Sequence, residues 1–231
     1  MSLLVDVRRV AGSVAERALD LALPAACAGC RREGAALCTE CLPALDVRLR
    51  AVPGVPVGLP ADIPAPLVQL EWCTPFTGVG RRALHALKYD GERRLAPLLG
   101  AAVARRWARA GAGGDVLVAV PASPDRVRER GYDQAALIAA AAGRRLGLPV
   151  VAALERSRNT TAQFDLDRAA RASNLGGAFR LVPSARSAVA GRWVVLVDDV
   201  ATTGATLAAC AGALLDGGAR AVAAITVARE R

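Results

Sequence analysis

The sequence predicts an α/β fold, in which a parallel sheet is covered by helices on both faces. Continuous apolar runs at residues 116–120, 193–197 and 221–227 carry this prediction, because strands buried on both faces lack the alternating pattern of half-buried strands. A further run at 149–154 is expected to add a strand. Helical stretches separate these runs, which is typical of parallel sheets. Aromatic residues make up only 3% of the 231-residue chain, so Ala, Val and Leu must fill the core.

An amphipathic helix is predicted at residues 1–23, ahead of the sheet. Its apolar side chains recur at three- and four-residue spacing, and we expect them to pack on the body of the protein. No uncharged apolar run approaches the roughly twenty residues that span a bilayer, so we expect no membrane span and a cytoplasmic location. The apolar residues of this helix are Leu4, Val7, Ala11, Val14, Ala18 and Leu21.

Two C-x-x-C pairs predict a small zinc ribbon at residues 24–43. Four thiolates in this spacing close a tetrahedral site, and Zn²⁺ is the metal that such a set selects. The alternative is a pair of structural disulfides, but no secretion signal is visible, and cytosolic thiols stay reduced. Because a four-cysteine site has no open coordination position, we expect the zinc to be structural. The expected ligands are Cys27, Cys30, Cys38 and Cys41.

The next segment, residues 44–75, is rich in proline and glycine and is predicted to be an extended linker to a main domain at residues 76–231. That domain begins with two helical stretches, which a break at Lys88 and Tyr89 separates. Two roles are open for these residues: they reach a phosphate, or they form a solvated helix end. The single histidine, His85, is expected to be a surface or packing residue.

Basic residues follow the strand predicted at 116–120. The loop after it carries Arg126, Arg128 and Arg130. Because open α/β sheets bind ligands beyond the carboxyl ends of their strands, these arginines either face a diphosphate or are solvated. Farther along the chain, residues 156–174 are polar and lack a sustained apolar face, which is typical of a mobile loop.

The strongest functional signal lies at residues 192–206. A buried strand is followed by Asp198 and Asp199, and a small, hydroxyl-rich turn then leads into a helix. Such a turn offers backbone N–H groups to a phosphate, although neither a P-loop nor a dinucleotide-binding glycine motif is present. Because two carboxylates would repel a bare phosphate, the ligand should also carry vicinal hydroxyls or a metal. A sugar phosphate meets both requirements.

This segment resembles the motif that binds 5-phosphoribosyl-1-pyrophosphate (PRPP) in type I phosphoribosyltransferases, where two acids hold the ribose hydroxyls and the turn holds the 5′-phosphate. Apart from residues 44–75, the chain resembles the ComF family of bacterial phosphoribosyltransferase-like proteins with an N-terminal zinc ribbon, some of which serve natural competence. The resemblance rests on the two C-x-x-C pairs, the spaced polar residues of 156–174, and the motifs LKYDGE, VRERGYDQ and VVLVDDVATTGAT.

The resemblance implies a type I phosphoribosyltransferase-like sheet and a role for each loop. Residues 120–130 would face the pyrophosphate, residues 156–174 would close over PRPP, and residues 198–206 would form the PRPP loop, with Mg²⁺ bound beside the ligand. Asp133 departs from the family pattern and adds a negative charge near the pyrophosphate. The implied site comprises the catalytic Asp198 and Asp199, the PRPP-binding Ala201, Thr202, Thr203, Gly204, Ala205 and Thr206, and the diphosphate-facing Arg126, Arg130, Arg156 and Arg158.

Two functions follow from the resemblance. The first is Mg²⁺-dependent transfer of the phosphoribosyl group to an unknown nitrogen acceptor by a phosphoribosyltransferase. The second is a non-catalytic role in natural transformation and DNA uptake, with nucleotide, single-stranded DNA or a DNA-uptake protein as partner. A net charge of +9 favours polyanionic ligands in either case, whereas the low aromatic content weakens a role that requires base stacking. In a third interpretation the zinc ribbon docks a protein partner and the remaining fold is a scaffold.

Overall fold

The fold is built on a four-stranded parallel sheet in a computed structural model that describes residues 25–53, 63–156 and 177–230. The strands are β1 (Gln69–Pro75), β2 (Val116–Ala119), β3 (Leu154–Arg156), β4 (Phe179–Leu181), β5 (Trp193–Ala201) and β6 (Ala221–Arg229). The sheet has the order β1-β6-β5-β2, and β3 and β4 form a separate antiparallel pair. In the sheet, Val197 of β5 pairs with Ala119 on one side and with Ile225 on the other. The predicted α/β class is confirmed.

Helices cover both faces of this sheet. They are α1 (Gly78–Tyr89), α2 (Leu95–Ala110), α3 (Pro124–Arg130), α4 (Gln134–Leu146), α5 (Arg186–Val189) and α6 (Ala205–Asp216). Side chains of β5 alternate between two cores: Val195 and Val197 pack with α1, α2 and α4, whereas Val194 and Leu196 pack with α6. Both faces of the strand are therefore buried, which explains its continuous apolar run.

Small residues bring α2 and α4 close together over the sheet. A Cβ atom on Gly100 would lie 2.5 Å from the Cβ atom of Ala141 and 2.7 Å from the carbonyl oxygen of Ile138. Because the distance between packed helices depends on the side chains at their contact, glycine and alanine at this point allow the two backbones to approach.

The predicted linker at residues 44–75 is wrong at both of its ends. Leu42–Asp46 is a 3₁₀ helix, and Gln69–Pro75 is β1, which pairs with β6 along the edge of the sheet. Sequence patterning missed β1 because Gln69 and Glu71 are polar and yet buried. Their partners come from distant parts of the chain.

A buried ion pair holds the segment before β1 in place. Glu71 accepts hydrogen bonds from Arg106 Nε at 3.0 Å and from Nη2 at 2.6 Å, and Gln69 Nε2 donates to the other carboxylate oxygen at 3.0 Å. The same guanidinium donates from Nη1 to the carbonyl oxygens of Arg48 and Ala51, both at 2.7 Å. These hydrogen bonds hold the irregular backbone around residues 48–51 against α2.

The strand predicted at residues 149–154 is also only partly correct. Val150 makes an isolated parallel bridge to Leu117, and a regular strand begins only at Leu154, where β3 pairs with β4 outside the main sheet. Too few backbone groups of this segment reach β2 to extend the sheet by a further strand.

The basic segment after β2 was predicted to be a loop, but it contains the short helix α3. Ser123 caps this helix by accepting a hydrogen bond from the Arg126 N–H, and Pro124 occupies its first turn, where a missing N–H costs nothing. The predicted helix at residues 1–23, residue Arg158 and most of the loop at 156–174 lie outside the described residues. Among the described helices, none combines the length and apolar character needed to cross a bilayer.

Candidate functional site

A cleft of about 430 Å³ opens at the carboxyl ends of β2 and β5. These strands are parallel neighbours, so the segments that follow them lie side by side, at the edge where open α/β sheets bind ligands. Residues from α1, from the segment after β2 and from β5 line the cleft. Those with polar or charged side chains include Lys88, Ser123, Arg126, Asp198, Asp199 and Thr206.

Asp198 and Asp199 both line this cleft. They lie within β5, which continues past the predicted end at residue 197 to Ala201. The Asp199 N–H donates to Asp198 Oδ1 at 2.8 Å. Burial raises the pKa of the Asp198 carboxyl well above its usual range, and the negative charge of Asp199 adds to this effect. A ligand that donates hydrogen bonds to the pair would stabilise its ionised form.

Asp199 is the more buried acid of the two, and two polar side chains contact it. Its Oδ2 lies 2.7 Å from Lys88 Nζ and accepts a hydrogen bond from Gln134 Nε2 at 3.2 Å. Lys88 belongs to the last turn of α1, and Gln134 is the first residue of α4. Of the two roles that the sequence left open for Lys88, a solvated helix end is therefore excluded, because the side chain reaches into the cleft.

The hydroxyl-rich turn after β5 leads into α6 at the side of the cleft. Thr202 and Thr206 line the cleft, whereas Ala201, Thr203, Gly204 and Ala205 shape the turn around them. Gly204 has a φ of +80°, and a Cβ atom there would lie 2.6 Å from Pro64 Cγ, so this position requires glycine for two reasons.

Arg229, the last residue of β6, also stabilises the turn. Arg229 Nη2 donates to the carbonyl oxygen of Thr202 at 3.0 Å. Arg229 is 4% exposed, and burial lowers its pKa to about 10. The conformation of the turn thus depends on a buried cation that sequence patterning did not identify.

Two of the predicted diphosphate residues line the cleft, Arg126 in α3 and Arg156 at the end of β3. The strands β3 and β4 share a core with α6, the helix that follows the phosphate turn. The guanidinium of Arg130 lies 5.0 Å from the ring centroid of Tyr89. Asp133 accepts hydrogen bonds from the N–H groups of Ala122, at 2.8 Å, and Ala136, at 3.1 Å. Its negative charge is therefore used to cap α4 and to hold the segment after β2.

The four cysteines of the predicted ribbon lie together, and their sulfur atoms are all within 4.8 Å of one another. None forms a disulfide, and the Sγ atoms of Cys30 and Cys38 are 3.6 Å apart. Sulfur ligands at about 2.3 Å from a tetrahedral zinc are separated by about 3.8 Å, so the cluster fits the metal. Burial opposes ionisation of Cys27, but N–H groups that include those of Cys38 and Gly29 outweigh it and lower its pKa to about 6.

The ribbon packs on the first turns of α1. Arg82 Nε donates to the carbonyl oxygen of Ala28 at 3.3 Å. A Cβ atom on Gly29 would lie 2.5 Å from Cys41 Sγ and 3.3 Å from Val79 of the helix, so glycine is needed for this close contact. Since Lys88 lies in the last turn of α1, the same helix contacts the ribbon at one end and the cleft at the other.

Comparisons with known proteins agree with this architecture. Residues 133–231 match the family model for the phosphoribosyl transferase domain. The DNA utilization proteins YhgH of Salmonella typhimurium and of Escherichia coli K12 are each 32% identical to this chain over 203 residues, which cover 85% of this chain and 85% of either relative.

Two solved structures are also similar. The allosteric regulatory enzyme of purine biosynthesis is 23% identical, with a TM-score of 0.37 over 58% of this chain. The glutamine PRPP amidotransferase from B. subtilis, complexed with ADP and GMP, is 24% identical, with a TM-score of 0.39 over 56% of this chain. This chain covers 25% of either solved chain.

Proposed function

This chain belongs to the ComF-like family that includes the DNA utilization protein YhgH, and we propose that it is a phosphoribosyltransferase that binds PRPP in the cleft and transfers the phosphoribosyl group to a nitrogen acceptor. The observation that carries this proposal is the position of Asp198 and Asp199 beside a hydroxyl-rich turn, at the carboxyl end of a central parallel strand. Vicinal hydroxyls and a phosphate are the two groups that such a pair and such a turn would bind.

The two acids would act on the ribose. Hydroxyl groups of the sugar would donate to Asp198 and Asp199, which fixes the orientation of the ring. As pyrophosphate leaves C1′, positive charge develops on the ring, and nearby carboxylates stabilise it. Burial and the charge of Asp199 raise the pKa of Asp198, and hydroxyl donors or a cation bound beside it would offset that rise.

The remaining polar groups would bind the two phosphate ends of the ligand. The turn around Thr202 and Thr206 would hold the 5′-phosphate, and Arg126 and Arg156, which line the same cleft, would bind the diphosphate. The cleft is lined by carboxylates, oxygen ligands of the kind that Mg²⁺ prefers, and Mg²⁺ bound there would neutralise charge on the departing diphosphate.

Calorimetric titration of Mg²⁺-PRPP into the parent protein and into a D198N/D199N variant tests this proposal. Both substitutions keep the side-chain shape and remove the charge, so the variant should lose binding. Asp216→Asn is the matched control, since Asp216 is exposed at the far end of α6 from the cleft. A parent protein that does not bind PRPP, or a double variant that binds it as tightly as the parent, would disprove the proposal. Release of pyrophosphate with a panel of nitrogen nucleophiles would then identify the acceptor.

A second candidate function is non-catalytic binding of single-stranded DNA, which the similarity to the DNA utilization protein YhgH and the net charge of +9 favour. Binding through several arginines releases counterions, so the affinity should fall by orders of magnitude between low and moderate salt. Absence of binding to single strands even at low salt would exclude this function.

A further inference from the structure

Lys88 is the only lysine in the chain, and arginine supplies the other 29 of the 30 basic residues. The two residues are not equivalent as partners of a carboxylate. Arginine holds an acid through a rigid fork of donors, as Arg106 holds Glu71, whereas the lysine ammonium is a compact charge on a flexible stem that exchanges partners readily. The lysine is placed on Asp199, a carboxylate that must become available to ribose hydroxyls if the cleft binds PRPP.

The ammonium of Lys88 lies on the side of the cleft where the diphosphate is expected. Its partner, Asp199 Oδ2, also accepts a hydrogen bond from Gln134, and Gln134 Oε1 in turn accepts one from Arg130 Nη1 at 3.1 Å. Gln134 and Arg130 belong to the stretch that follows β2, whereas the phosphate turn follows β5. Lys88 therefore stands between the acid pair and the segment expected to face the diphosphate.

The charges around the cleft indicate a second partner for this ammonium. Among the described residues, the lining contains three cations, Lys88, Arg126 and Arg156, and three acids, Asp198, Asp199 and Glu230. In the free protein Asp199 neutralises Lys88. A ligand with both a phosphate and a diphosphate brings several negative charges into this cleft, and the ammonium of Lys88 can meet them once Asp199 has another partner.

We propose that Lys88 exchanges partners when PRPP binds: the ribose hydroxyls replace it on Asp199, and the released ammonium binds the diphosphate. This inference rests on the proposed function and adds a diphosphate ligand from α1, outside the segment at residues 120–130. Lys88 thus acts as a counter-ion of the acid pair before binding and as a ligand for the departing group afterwards. The side chain is 19% exposed, so the exchange takes place largely out of contact with solvent.

Two ligands that differ only in the diphosphate test this exchange. PRPP and ribose 5-phosphate are titrated, at one Mg²⁺ concentration, into the parent protein and into Lys88→Met. The variant should bind PRPP about ten- to hundredfold more weakly, as expected for the loss of a hydrogen bond between charged groups. It should bind ribose 5-phosphate at least as tightly as the parent, because the ribose hydroxyls no longer have to displace an ammonium from Asp199. Arg220→Met is the matched control: it removes one exposed positive charge beside the amino end of β6, and both affinities should stay unchanged.

The outcomes separate this inference from the function on which it rests. An equal loss of affinity for both ligands would mean that Lys88 only orients Asp199, and unchanged PRPP binding by Lys88→Met would mean that it is not a ligand; either result overturns the exchange while the proposed function stands. A parent protein that binds neither ligand would overturn both. Thermal unfolding of Lys88→Met within a few degrees of the parent would confirm that the variant is folded.

Discussion

The buried pair of Arg106 and Glu71 allows a strong test of the packing described above. Replacing Arg106 by methionine leaves a carboxylate that is 0% exposed without its two closest donors, and it also removes the donor to the carbonyl oxygens of Arg48 and Ala51. Removing one partner of a buried pair costs about 3–5 kcal/mol in the free energy of unfolding, and Arg48, which stays 3.8 Å from Glu71, should keep the cost near the lower end of this range. For a domain of this size, that loss lowers the melting temperature by about 6–20 °C.

Urea denaturation of Arg106→Met and of Arg105→Met gives a direct comparison. Arg105 is the neighbour of Arg106 on α2, and it pairs with Asp46 at 2.7 Å, but the two side chains are 38% and 23% exposed. Solvent screens such a pair, so its loss should cost at most about 1 kcal/mol. Equal costs for the two variants would refute the reasoning.

Three further predictions concern the zinc ribbon, the phosphate turn and the acid pair. The purified protein should contain close to one zinc per chain by elemental analysis, and a chelator should lower its melting temperature; a metal-free protein of unchanged stability would contradict the ribbon. Gly204→Ala should destabilise the protein by about 1–3 kcal/mol through strain at a φ of +80°, whereas Gly212→Ala, within α6 and with no atom within 4 Å of the added Cβ, should stabilise it by up to about 1 kcal/mol. Since the pKa of Asp198 is raised in the folded state, its ionisation opposes folding as the pH rises above about 4; Asp198→Asn should therefore raise the melting temperature at pH 7, and this gain should disappear at low pH.

The strands of the sheet could be predicted from the sequence wherever they appear as continuous runs of apolar residues. The runs that contain Val118, Val195 and Ile225 became β2, β5 and β6 because each strand is buried on both faces. The edge strand β1 could not be predicted in this way. Its buried Glu71 is stable only because Arg106 lies opposite, and that pairing is a property of the folded chain rather than of the local pattern.

In the candidate site, too, residues that are adjacent in sequence could be predicted, whereas contacts between distant residues could not. The acids and the turn of residues 198–206 are adjacent in sequence, so their combination could be recognised directly. The contact between Lys88 and Asp199 joins the end of α1 to β5, and only the fold brings the two together. The roles of these residues as ligands of PRPP stay predictions, and the titrations described above test them.

The contact of Gly100 with Ala141 has a consequence for how this chain can vary. Most protein cores are damaged chiefly by truncation, since a smaller side chain leaves a cavity. Where two helices meet through a missing Cβ atom, with only 2.5 Å available to a new one, no side chain is left to truncate, and the harmful change is an added methyl group. Any residue larger than glycine at position 100 would therefore clash with α4. Such a substitution can be accommodated only if α2 and α4 move apart.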